Sequence, residues 1–518
     1  MKRKIVIDDK LSIEELATIA RDLSYYVEIS PKALKRVADS HRVLNKLVKE
    51  GKTIYGVNTG MGGFVSWLVP NGKSGELQLN LLRAIATNVG SYLSDEEVRA
   101  AMLARIVSLS RGHSAISVAN LEKYIAIFNA GIIPCVPEQG SLGASGDLGP
   151  LAAIALVSVG EWRAKWRGKI VAGAAALKGA KVDPLNLSYK EGLALINGTS
   201  AMVGVATLLV EETRALLNLY DVVSALSLET LNAKSKPFDP RVHALKPHPG
   251  QQITAQKIYD ILRSSKLILN EDKVGKSLQQ NKTESASHQP DDIEDAYSLR
   301  CTPQIIGPVR DAVEYIAHTV EDELNSSNDN PLIIPDQHTV FHNGHFHGQY
   351  IAMAMDQLAI ALTTLSNLSD RRVDRFMDET HSKGLPGFLS PNPGLQFGLM
   401  GGQFMSTSLT AENRSLCVPI SIQTLPSTGD FQDVVSMGLT ATRRAKTILR
   451  NTKYIIAFEI MCGCQAADFR GAHLLSRKTR QLYEFVRSLV PFFKEDTVMT
   501  DYLENLYGLI PLKLSTPG

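Results

Sequence analysis

Gly140-Ser-Leu-Gly-Ala-Ser-Gly-Asp-Leu-Gly-Pro150 holds four glycines in eleven residues, and Leu142 and Leu148 are its only sizeable apolar side chains. An apolar run at 151–159 follows directly, with Pro150 where the first turn of a helix tolerates a missing N–H. In an arbitrary sequence a loop and a helix start would account for this composition. A chemical reading asks more of the same residues. If the backbone bends hard at Ala144-Ser145-Gly146, the Gly146 nitrogen can approach the Ala144 carbonyl, because glycine carries no Cβ to obstruct the bend. Ring closure with loss of two waters, one from the Ser145 side chain, leaves an exocyclic alkene conjugated to a cyclic carbonyl. That group is an electrophile, which no standard side chain supplies. The amides of the following helix favour electron density on the ring oxygen, and Asp147 is placed to move protons during the dehydration.

The remaining sequence narrows the class. At 518 residues the chain has room for roughly two to four ordinary domains, or one large helical body. Its formal net charge of +2 implies no polyelectrolyte partner, and the basic spots Arg371-Arg372 and Arg443-Arg444-Lys446 fit solvated helix faces or subunit contacts better than nucleic acid. Five cysteines, an odd number, suggest reduced thiols in a cytoplasmic protein. Cys462 and Cys464 have no second pair at a zinc spacing and read as small core residues. The basic N-terminus is interrupted too soon to be a signal peptide, and the apolar run 201–210 is too short to span a membrane.

Helical patterns recur at 12–50, 77–90, 96–109, 192–226, 346–370 and 416–490, with Ser12 and Ser30 as caps. Ile351, Met355, Leu358, Leu362 and Leu365 step by four and three, the spacing of a packed seam. The best strand candidates, 4–7, 53–57, 169–172 and 332–334, are all short. Residues 234–250 read as a connection, and 277–295 as a long surface loop. The class is therefore mainly α, a long helical bundle whose stripes bury one another. We place the expected boundary after residue 205, between an N-terminal domain carrying the glycine-rich turn and a central and C-terminal helical region at 206–518.

The block Gly143-Ala-Ser-Gly-Asp-Leu-Gly-Pro-Leu151 resembles the signature shared by the histidine, phenylalanine and tyrosine ammonia-lyases and the related aminomutases, and further blocks follow in the family's order along nearly the whole chain. The resemblance implies a 4-methylideneimidazole-5-one (MIO) group formed autocatalytically from Ala144, Ser145 and Gly146, with no metal or nucleotide. It also implies a homotetramer with active sites shared between subunits. Tyr55, in Tyr55-Gly-Val-Asn-Thr-Gly60, resembles the catalytic base, provided that neighbouring dipoles lower its usual pKa of about 10. Arg300, in Tyr297-Ser-Leu-Arg300, resembles the clamp for the substrate carboxylate, gripping it through two parallel hydrogen bonds. Tyr297 is implied to handle protons near the electrophile, and Asn197 to hydrogen-bond the MIO oxygen or the substrate. Leu193 and Phe346 are implied pocket residues. His342, His345 and His347 have no common metal-site spacing and read as hydrogen-bonding groups. One departure stands out: Glu294 occupies a position that is usually Gln in the family.

The substrate ring is addressed by two places. Histidine-specific members resemble this chain at 77–90 but present Ser-His where it has Ala84-Ile85, and tyrosine-specific members present a His at Ala84. Gln432 stands where histidine-specific members carry Glu. Both differences favour an apolar aryl ring, since Ala84 and Ile85 offer no side-chain hydrogen bond to an imidazole or phenol. The expectation is a phenylalanine-type ammonia-lyase acting on a small aromatic amino acid, with no nucleic-acid or membrane partner. A phenylalanine or tyrosine 2,3-aminomutase is the alternative, since 61–65 and 86–89 resemble bacterial phenylalanine aminomutases. Two further readings are a non-catalytic helical assembly on the same scaffold, and a fumarase-type lyase for which the Ala-Ser-Gly turn would have no purpose.

Overall fold

A computed structural model describes residues 3–286, 288 and 292–510, and within them 19 α-helices accompany nine short strands. The chain forms two compact units. The first comprises Met1–Glu211, Ile316–Asp356 and Pro419–Arg443; the second comprises Glu212–Tyr315, Gln357–Val418 and Arg444–Gly518. The expected cut after residue 205 lies near the first of these boundaries, but two later stretches return to the first unit. The cause is four long helices, Ser200–Thr230, Thr302–Leu324, Gln349–Met377 and Gly438–Arg470, each of which gives residues to both units. No change of composition marks a boundary inside a continuous helix.

In the first unit Ser12 caps Ile13–Arg21 through a reciprocal capping box with Glu15, and Ser30 caps Pro31–Lys49. Strand Arg3–Ile7 pairs in parallel with Tyr25–Ile29. Helix Asp95–Ser110 is buried on nearly every side, including Arg105, whose Nε donates to the Ala194 carbonyl at 2.9 Å. Strands Lys169–Ala172 and Leu332–Ile334 form as expected. Residues 53–57 do not. The Val57 and Asn58 N–H groups both return to the Ile54 carbonyl, at 3.1 and 3.2 Å, so the chain turns and buries Ile54 and Val57 in the core. The helix expected at 77–90 is Ser74–Ile85, because the Thr87 N–H closes back on the Ile85 carbonyl and Val89–Tyr92 pairs with Pro137–Gln139.

All five seam residues of Gln349–Met377 are fully buried. Among the described residues this is the one helix long and apolar enough to cross a membrane, and 72% of its apolar window is buried within the protein, as for a core helix. In the second unit Met400–Leu416 is helical, and the pattern at 416–490 resolves into Gly438–Arg470 and Arg477–Arg487. The connection at 234–250 contains the short helix Pro240–Ala244. The start of the loop expected at 277–295 belongs to helix Glu271–Gln280, while 287 and 289–291 lie outside the described residues. Arg372, expected on a solvated face, is fully buried and pairs with Glu459 at 3.1 Å. Cys462 and Cys464 are fully buried in their helix.

Candidate active site

The glycine-rich stretch folds into a tight turn in which Gly143 and Gly146 face each other as an antiparallel bridge, and Gly146 also bridges Gly198. Gly143, Ser145 and Gly146 all have positive φ, at 72°, 56° and 77°. For Ser145 this left-handed conformation costs roughly 1–2 kcal/mol. A Cβ on Gly146 would run into the Gly198 carbonyl, and one on Gly143 into the Ser436 hydroxyl. Both positions therefore require glycine twice over. The turn is pinned to the segment before helix Ser200–Thr230: the Gly198 N–H donates to the Ser145 carbonyl at 3.2 Å, and the Asp147 N–H to the Gly198 carbonyl at 2.8 Å. Helix Leu148–Ser158 starts immediately after Asp147. This bent, glycine-flanked tripeptide fits the ring closure considered for Ala144, Ser145 and Gly146.

Asp147 is wholly buried; its Oδ2 accepts the Met202 N–H at 2.7 Å, and its Oδ1 makes no hydrogen bond. Burial pushes its pKa up to about 7, against the pull of the Met202 and Ala201 amides, and Glu323 adds a smaller push upward. The folded-state pKa thus lies above the unfolded carboxyl value of about 3.9. The associated stability is fully present below that lower value and is lost as pH rises through about 7. An upper bound on the loss is of the order of 4 kcal/mol. Asp147→Asn is expected to show a melting-temperature difference from the parent that shifts in its own favour between about pH 4 and pH 7; a difference that stays constant over that range would contradict this assignment.

Ser145 lies on the wall of a cavity of about 940 Å³ whose lining belongs entirely to the first unit. Tyr55, Ala84, Ile85, Leu193, Asn197, Phe346 and Gln432 line the same cavity. The structure thus brings these eight residues together with His342, all singled out from the sequence, and the wall is mostly apolar, with Leu81, Leu148 and Phe431 adding to it. Gln432 Nε2 donates to the Ser145 hydroxyl at 3.4 Å. The Tyr55 hydroxyl accepts the Gly62 N–H at 3.0 Å, and its ring stacks on Phe431 with centroids 6.5 Å apart. Burial raises the Tyr55 pKa and outweighs the lowering by the Gly62 amide, so the expected depression by dipoles is not what this environment produces.

Gln78, Asp329 and Lys190 support the site and escaped the sequence reading. Gln78 joins three pieces of the wall, donating to the Gly56 carbonyl at 2.8 Å and accepting the Leu193 N–H at 2.9 Å. Asn197 follows the short helix Glu191–Ile196 as its C-cap, and its amide donates to Asp329 Oδ1 and the Asn330 carbonyl, each at 2.9 Å. Asp329 in turn binds the buried Lys190 ammonium at 2.5 Å. The Tyr55 N–H donates to His342 Nε2 at 3.1 Å, which assigns that nitrogen as the acceptor. The one signal available was Lys190, a charge leading into the apolar run at 192–196.

Tyr297, Arg300 and Glu294 belong to the second unit and contribute nothing to the lining of this cavity. Tyr297 is exposed, with the Arg300 guanidinium 5.0 Å from its ring centroid. Arg300 Nη1 pairs with Glu294 Oε1 at 2.8 Å.

A turn bent toward cyclisation, a phenol with a backbone donor, and an apolar chamber are the parts needed to hold an aryl substrate beside an electrophile and a base. The aromatic amino acid lyase family model matches residues 11–488. A tyrosine ammonia-lyase of Cupriavidus metallidurans is 43% identical over 507 residues, covering 96% of this chain and 94% of that protein. A histidine ammonia-lyase of Alkaliphilus metalliredigens is 38% identical over 499 residues, covering 96% and 95%. Among solved structures, the Pantoea agglomerans phenylalanine aminomutase is 53% identical with a TM-score of 0.96, covering 99% of each chain.

Proposed function

The chain belongs to the aromatic amino acid lyase family and is a carbon–nitrogen lyase of that kind; from this premise we propose that it converts L-phenylalanine, or a ring-substituted analogue, to trans-cinnamate and ammonia. The observation that carries the reading is Ser145, held in its bent turn on the wall of a largely apolar cavity opposite no polar ring partner at Ala84 or Ile85. An MIO group formed from Ala144, Ser145 and Gly146 would supply the electrophile that takes up the substrate amine. The remaining work falls to ordinary side chains. Tyr55, as its phenolate, takes up the β-proton, and the Gly62 N–H favours that anionic form before the transfer. Asn197 lines the cavity with its amide donors engaged by Asp329 and Asn330. Ala84, Ile85, Leu193 and Phe346 hold the ring and exclude water, and Gln432 steadies the Ser145 position.

Arg300 grips the carboxylate and Tyr297 assists proton transfer. Both reach the substrate through assembly of the chain into a homotetramer with shared active sites, in a cytoplasmic protein. The absence of a hydrogen-bonding side chain at Ala84 supports phenylalanine over tyrosine. Ala84→His is expected to move the ratio of kcat/KM values toward tyrosine by about tenfold or more; an unchanged ratio would remove Ala84 from the ring pocket.

The 53% identity to a phenylalanine aminomutase favours a second reading, in which the amine is returned to the β-carbon of the bound cinnamate. Lyase and mutase then differ in how long the product stays in a closed site. Incubation with L-phenylalanine and quantification of cinnamate against β-phenylalanine separates them. Dominant cinnamate supports the lyase reading, and dominant β-phenylalanine replaces it with the second.

A further inference from the structure

Arg300 closes the one-turn helix Tyr297–Arg300, and that turn is held from beneath by buried charge. Arg372 Nε donates to the Ser298 carbonyl at 2.9 Å and its Nη2 to the Thr302 hydroxyl at 2.7 Å, while Arg375 Nε donates to the Ser298 hydroxyl at 3.1 Å. Asp295, directly after Glu294, is equally fixed. Asp295 accepts the Lys234 N–H at 2.7 Å, and its second oxygen binds the ammonium groups of Lys234 and Lys383 at 3.0 and 2.9 Å. Just before these anchors in the chain, Glu294 faces solvent: its side chain is 62% exposed, against 27% for Arg300. Its carboxylate nevertheless lies 2.8 Å from Arg300 Nη1. Arg300 Nε is buried and makes no hydrogen bond, so the guanidinium is occupied along one edge while a donor remains unfilled.

We propose that Glu294 is an internal competitor for the Arg300 guanidinium, weakening the hold on every carboxylate that enters the site and hastening the departure of the unsaturated product. The inference rests on the reading of Arg300 as the carboxylate clamp. Substrate, cinnamate and β-amino acid all carry a carboxylate, whereas Arg300 carries a single positive charge. An arriving carboxylate either pushes Glu294 into water or shares the guanidinium with it, and both outcomes discount binding. An exposed ion pair is weak enough to be displaced, so the clamp is attenuated and not blocked. The amine can return to the β-carbon only while cinnamate stays bound. Faster departure therefore favours free cinnamate over the β-amino acid.

The test is a double-mutant cycle with trans-cinnamate as the probe, read as its inhibition constant, together with KM, kcat and the share of β-amino acid formed from L-phenylalanine. Glu294→Gln is expected to tighten cinnamate binding and lower KM by roughly three- to fivefold, and to raise the β-amino acid share. The gain is expected to vanish in an Arg300→Met background. Unchanged or weaker cinnamate binding in Glu294→Gln overturns the proposal, as does a gain that persists without Arg300. If Arg300→Met alone leaves cinnamate binding intact, the clamp reading itself has failed, and the two failures are thereby told apart.

Discussion

Ser145→Ala is expected to bring turnover to background, a loss of more than about 10³-fold, beyond the cost of removing a single electrostatic donor. Alanine has no Cβ oxygen to leave as water, so the alkene that makes the electrophile cannot form. The fold is expected to survive. Among the described residues the Ser145 hydroxyl is engaged only by Gln432, at the long distance of 3.4 Å, and the pins that hold the turn are backbone groups of Ser145, Asp147 and Gly198. Alanine meets a left-handed penalty similar to that of serine at φ 56°. The variant should therefore purify as a folded protein, inactive and without the near-ultraviolet absorbance of the conjugated ring. Substantial turnover in that variant would mean that the reaction does not use this residue's alkene.

The second large effect is at Tyr55. Tyr55→Phe keeps the ring that stacks on Phe431 but removes the oxygen that accepts the Gly62 N–H. A lost general base typically costs about 10²–10⁴-fold in rate, while the unmatched amide costs at most about 1–3 kcal/mol of stability. The absorbance of the electrophile should remain, which separates this variant from Ser145→Ala. The pH profile carries a second signature. Burial shifts the Tyr55 pKa upward, so the deprotonated base becomes more abundant as pH rises, and the parent's kcat/KM should climb on the alkaline side. In Tyr55→Phe that climb should disappear. A profile with the same alkaline limb in both proteins would assign the base elsewhere.

What the sequence reveals and what it hides follow one physical rule. The glycines at 143 and 146 were readable because a hard bend leaves a local mark, and the caps Ser12 and Ser30 because capping is a contact over three residues. The pocket residues, from Tyr55 to Gln432, were readable through blocks that resemble a family, even though they converge from distant parts of the chain. Three features stayed hidden because tertiary contacts decide them. Ile54 and Val57 have the composition of a strand, yet burial in the core turns the chain instead. Ile85 ends its helix where the following residues find a strand partner at 137–139. The Lys190–Asp329–Asn197 network joins side chains more than a hundred positions apart, and each one alone resembles an ordinary polar residue. The two-unit division was hidden for a different reason, since four of its five boundaries fall inside helices that run on unbroken.

All of this chemistry depends on the peptide at 144–146 having become a ring. The intact mass of the freshly purified, active protein, followed by the mass of the proteolytic fragment containing Ala144, Ser145 and Gly146, tests that most directly. The account predicts a deficit of two water molecules, confined to that fragment and reduced or absent in Ser145→Ala. A fully hydrated mass in enzyme that turns over its substrate would contradict it.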